Sequence, residues 1–111
     1  MLTLAALAVV TLTVTPTVVA APATIRATLR VEPHDANRYL CIYVDGPLRE
    51  TSSCFPHTNR DLRHRVVEFV RLPAGDYDLW AAVQRADRTT HTSNHATVRV
   101  VGREAIRHVR H

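Results

Sequence analysis

Two histidines four residues apart, His91 and His95, are the first place to look for chemistry in this chain. On a helix that spacing turns both imidazoles to one face, the arrangement that holds a zinc ion. Thr92-Ser93-Asn94 between them reads instead as a loop or the onset of a strand. No Glu follows His91, so the hydrolytic zinc signature His-Glu-x-x-His is missing. His57, His64, His108 and His111 could add ligands only if a fold brought them together. His91 and His95 therefore stand as the metal-ligand candidates, and no metal or other cofactor is expected. The chain has three glycines, with no Gly-x-Ser-x-Gly turn and no glycine-rich phosphate cradle. Asp76 with Asp78, His34-Asp35, and Glu50 with Ser52 or Ser53 form no acid–base set by sequence. The expectation is a protein that is not an enzyme.

Cys41 and Cys54 are the other reactive pair. An even pair in a short chain favours a disulfide, and the Cys-x-x-Cys spacing of a redox centre is absent. Asp45-Gly46-Pro47-Leu48-Arg49-Glu50 supplies a turn midway between them. A hairpin folded about Pro47-Leu48 sets Cys41 opposite Cys54. Closing so short a loop contributes about 3 kcal/mol in the chain-entropy picture.

All fourteen basic residues are Arg, and the formal charge is +4. Codon bias in a GC-rich genome accounts for the absence of Lys. The guanidinium fork nevertheless suits carboxylates and phosphates. Arg103, Arg107 and Arg110 are the anion-binding candidates, matched to an anionic polymer rather than to any specific nucleic acid. Trp80, Arg85, Arg88, His91 and His95 are the candidates for contact with a protein or glycan surface. Of the turn segments, 33–37, 46–50 and 86–94 could carry recognition, and the last is the longest and richest in Arg and His.

The elements that must position these residues are strands. Residues 1–23 carry no charge and end in Ala-x-Ala-like sites, which reads as an export signal and a secreted or periplasmic location. Membrane attachment would come only through an uncleaved leader. Pro16 and five Thr weaken that alternative. Beyond the leader, residues 24–32, 38–44, 51–55, 65–72, 77–85 and 94–101 alternate or run apolar at short intervals. They predict a domain over 24–102 followed by a basic tail at 103–111. Tyr77, Leu79, Ala81 and Val83 share one face of their strand, which turns Trp80 to the other.

Leu72-Pro73-Ala74-Gly75-Asp76-Tyr77, running into an alternating strand, resembles the E–F corner of immunoglobulin-like and fibronectin type III-like sandwiches. The resemblance implies a small antiparallel Ig-like β-sandwich of six to seven strands. It also implies that the Tyr77 hydroxyl bonds back to the preceding backbone. The cysteines do not occupy the inter-sheet positions of antibody domains, and no Trp lies at the expected strand C site. The implied role is an exported, non-catalytic binding or structural module.

Overall fold

The computed structural model describes residues 8–48 and 50–102. They form nine strands: β1 (Val10–Thr15), β2 (Val18–Ala20), β3 (Ala23–Val31), β4 (Asn37–Asp45), β5 (Glu50–Pro56), β6 (His64–Leu72), β7 (Gly75–Arg85), β8 (Thr90–Thr92) and β9 (Ala96–Val101). One sheet has the order β1-β3-β6. The other runs β2-β9-β7-β4-β5, with β8 also on β7. The two face each other as an all-β, Ig-like sandwich. All ladders are antiparallel except β2 with β9.

Alternation decides which side chains meet between the sheets. Ile25, Ala27, Leu29 and Val31 of β3 face Leu40, Ile42 and Val44 of β4 and Leu79, Ala81 and Val83 of β7 in one core. The hairpin turns where the sequence placed it: Cys41 pairs with Cys54 and the disulfide is formed. The corner is also present, the Tyr77 hydroxyl donating to the Pro73 carbonyl at 2.6 Å. Gly75 sits at φ +151°, and a β-carbon there would run into the Pro47 ring.

The structure adds three strands to the six expected. β8 lies inside the segment read as the 86–94 loop, leaving only residues 86–89 as the connection. The other two fall in the uncharged stretch. Val-Thr-Leu-Thr-Val-Thr over residues 10–15 is a strict period-two pattern, and Val10, Leu12 and Val14 are buried while Thr11, Thr13 and Thr15 are exposed. β1 pairs with β3 along all six of its residues. The chain then passes Pro16 and joins the other sheet as β2. The first strand among the described residues thus starts at Val10, inside residues 1–23, where an uncharged composition masks an alternating pattern. The basic tail 103–111, with Arg103, Arg107 and Arg110, lies outside the described residues.

Removing residues 1–23 would withdraw Val10, Leu12 and Val14 from the core. At about 1.5–3 kcal/mol for each buried side chain, the loss rivals a whole domain's stability of about 5–15 kcal/mol. A chain spanning 24–111 is expected to lose its cooperative thermal transition. An unchanged midpoint by circular dichroism would contradict the assignment of β1 to the core.

Candidate functional site

Three connections meet at one end of the sandwich: residues 32–36 between β3 and β4, 57–63 between β5 and β6, and 86–89 between β7 and β8. They are bonded to one another. The Ala86 amide donates to the Ala36 carbonyl at 2.7 Å, and the Asn59 side-chain amide donates to Asp35 at 2.6 Å. Asn37 is fully buried beneath them; its amide donates to the Glu32 carbonyl and its oxygen accepts from Arg85 Nε. Bonding of this kind makes a platform of loops that are otherwise only surface connections.

The charges on that platform are arranged unusually. Arg26 and Arg99, elsewhere on the molecule, pair with carboxylates, as Arg30 does with Glu32 at the loop end, whereas Arg71 near the opposite end of β6 has no ion pair among the described residues. Arg38, Arg60, Arg63, Arg65, Arg85 and Arg88 all lie at the loop end, and none forms an ion pair with a carboxylate among the described residues, although Arg65 and Arg85 act on Asp61 and Asp87 at longer range. Arg38 is held by the backbone carbonyls of Asp35 and Asn37, and Arg65 lies over the Phe55 ring at 4.4 Å. Arg88 occupies the tip of the β7–β8 turn at φ +69°. The local carboxylates are engaged by loop groups. Asp61 accepts from the Thr58 amide and Asp87 from the Thr89 amide and hydroxyl, and these bonds hold both acids below the usual carboxylate range.

His57 is buried under the same loops, beside Asp61 and Arg65. Burial lowers its pKa, the nearby Asp61 charge opposes that shift, and Arg65 adds to it. Its ring nitrogen lies 3.5 Å from an Arg65 nitrogen. This imidazole therefore serves in its neutral form as part of the loop support.

The sequence candidates divide between two places. Arg85 and His91 lie together at the loop end, with nitrogens 3.4 Å apart, and Arg88 is close by in the turn. Trp80 and His95 lie on the outer face of the large sheet. There Tyr43, Trp80 and His95 stack in sequence, with centroids 5.4 and 5.0 Å apart and planes within 18°. At such spacing near-parallel rings must overlap face on, so Tyr43 and His95 cover the two faces of the indole. Trp80 offers an edge rather than a platform for a sugar ring. His95 Nδ1 also reaches the Asp78 carboxylate at 2.9 Å.

His91 and His95 do not converge. His91 is the register partner of Val83, whose side chain is in the core, whereas His95 stacks on the outward Trp80. Between them the pairing with β7 slips by one residue, so Asn94 and His95 together oppose Trp80 as a β-bulge. Among the described residues no three His, Cys, Asp or Glu side chains gather as a metal site. Of the segment 46–50, Gly46 and Pro47 lie at the other end, where they help line an open groove of about 1010 Å³ together with Asp45, Asp76, Asp78 and Arg99.

Sequence reasoning missed Arg38, Arg60, Arg63 and Arg65 as a group, and His57 with them. The signal was topological: in an antiparallel sandwich the segments after β3, β5 and β7 all emerge at the same end.

The lowered pKa of His57 fixes the sign of a pH effect. Below about pH 6.5 the unfolded chain takes up a proton that the folded chain resists, so stability falls as pH drops through that value. The melting temperature should decline between pH 7 and pH 5, and His57→Gln should make the decline shallower. An equal slope in both proteins would remove His57 as its cause.

No protein-family model and no curated protein matches this sequence. Among solved structures, the chain is similar to the superoxide reductase (neelaredoxin) from Ignicoccus hospitalis, with 13% identity over 83% of this chain and 80% of that one and a TM-score of 0.65. It is also similar to a chain in a structure addressing T cell specificity and activation by the bacterial superantigen toxic shock syndrome toxin-1. That match has 11% identity, covers 85% of this chain and 99% of the other, and has a TM-score of 0.57. At such identities the likeness is one of fold: the chain is a β-sandwich of this kind.

Proposed function

We propose that this chain is a small extracytoplasmic recognition module, non-catalytic, that binds an anionic polymer through the arginine-bearing loop end. The observation that carries the reading is the partition of ion pairs. Arg26, Arg30 and Arg99 pair with neighbouring acids, while Arg38, Arg60, Arg63, Arg65, Arg85 and Arg88, gathered at the end with three bonded loops, form no ion pair with a carboxylate among the described residues. Desolvated or crowded cations are costly without partners, so a surface that concentrates them is suited to an anion supplied from outside. A guanidinium fork matches sulfate, phosphate and carboxylate groups alike.

Placement outside the cytoplasm is supported by the Cys41–Cys54 disulfide, since such bonds persist in oxidising compartments. It is supported also by the uncharged N-terminal stretch, although β1 and β2 occupy much of it. A signal-peptide role for residues 1–23 and retention of those strands are competing fates, distinguished by the mass of the exported protein. The fibronectin-like corner at Tyr77 suits an exported module of this type. The absence of a catalytic role is supported by the use of the local carboxylates in turn hydrogen bonds.

The test is binding of the full chain to dextran sulfate across a salt series. Affinity should fall steeply with salt, and replacing Arg60, Arg63 and Arg88 by Ala should lower the log–log slope by about 2. Replacing Arg26, Arg30 and Arg99 should leave the slope nearly unchanged. Salt-independent binding, or equal losses from both triple variants, would overturn the proposal.

A further inference from the structure

The two open sheets end in β1, β6, β2 and β5, with the three-residue β8 as a further edge on β7, and β5 is the least protected of these. At β1 the Asn94 side chain closes on the backbone, accepting from the Leu12 amide and donating to the Leu12 carbonyl, both at 2.9 Å. β2 is only three residues long. β6 carries Arg65, Glu68 and Arg71. Short length, charge and capping by other groups are the usual means of preventing strand-to-strand association.

β5 carries such devices only at its two ends, Glu50 and Pro56. It is seven residues long, and Thr51-Ser52-Ser53-Cys54-Phe55 contains no charge. Its ladder is with β4 alone among the described residues. Cys41 and Cys54 have their α-carbons 4.0 Å apart, the close spacing of an antiparallel pair that does not exchange backbone hydrogen bonds. The N–H and C=O of Cys54 therefore point away from β4, and so do those of Ser52, two residues earlier. A free row of donors and acceptors lines this side of the large sheet.

We propose that β5 is the contact strand of a symmetric dimer, in which two copies join their open edges antiparallel into one continuous sheet. The partner is a second copy because the ends of the strand are electrostatically complementary when it is reversed. At one end Asp45 and Glu50 are register partners, two carboxylates directly opposite each other with no ion pair among the described residues. Such a like-charge pair is unfavourable by itself. At the other end Pro56 pairs with Tyr39, adjacent to the exposed Arg38, which has only backbone carbonyls as partners. A two-fold axis at Ser53 sets Ser52 against Cys54 of the second copy, where both backbone bonds can be exchanged. It also sets Glu50 against Pro56 of the second copy, so each acidic pair approaches the other copy's Arg38. The uncharged middle presents no repulsion.

Sedimentation of the oxidised full chain tests this, over concentrations up to about 200 μM, a range that resolves weak association. The expected result is a reversible monomer–dimer equilibrium that weakens with salt. Ser52→Pro removes an outward amide without touching the β4 ladder, and should raise the dimer dissociation constant about tenfold. Glu50→Arg should weaken the dimer as well, and adding Arg38→Glu to it should restore association. The charge-reversal series decides the matter if the proline variant does not fold. A monomer at every concentration would overturn the proposal, as would a dimer indifferent to Ser52→Pro and Glu50→Arg.

Discussion

The bulge at Asn94 is the constraint on which most of the arrangement depends. Ser93 remains in step with β7, its amide donating to the Ala81 carbonyl and its hydroxyl accepting from the Ala81 amide. One residue later the ladder slips, and the Asn94 amide group binds both backbone groups of Leu12 across the sandwich. An exchange of that kind imitates one rung of a β-ladder with a side chain. It ties the edge of the small sheet to the large one, which elsewhere meet mainly through apolar contact and the stacking of Arg65 on Phe55. The slip also returns the chain to the outer face, so that His95 stacks on Trp80 while His91, before the bulge, faces inward. Bulges commonly re-aim side chains in this way.

Around that tie the molecule separates two tasks. The end with the tyrosine corner has Gly75 close against Pro47 and Tyr77 bonded to Pro73, beside the open groove. The opposite end has three loops joined by hydrogen bonds, and these carry arginines without acidic partners. Beneath the loops, burial disfavours the charged form of His57. The corner fixes how the chain crosses between the sheets, whereas the loop end gathers arginines that form no ion pair among the described residues. That concentration of charge is the physical basis of the proposal that the loops recognise an anion.

The sequence disclosed what depends on period and spacing. The cysteine pairing was readable because Pro47-Leu48 lies midway between Cys41 and Cys54, and the corner because Tyr77 follows Gly75 and precedes an alternating strand. Trp80 was placed correctly on the outer face, since its neighbours Leu79 and Ala81 belong to the core row. β1 was obscured by its composition: with Thr on its exposed side it carries no charge, although its period-two alternation is plain. β8 was hidden within polar residues, where pairing with β7 rather than hydrophobicity makes the strand. The arginine platform depends on which turns meet at one end, and no local pattern contains that information.

The account rests most directly on β1 being a working strand locked by Asn94, and amide hydrogen exchange on the full chain measures this residue by residue. Protection of the Leu12 amide comparable to that in β3 and β7, reduced strongly by Asn94→Ala, is the predicted result. Exchange across residues 10–15 at the rate of an unfolded chain, alongside protected β3 and β7, would contradict it.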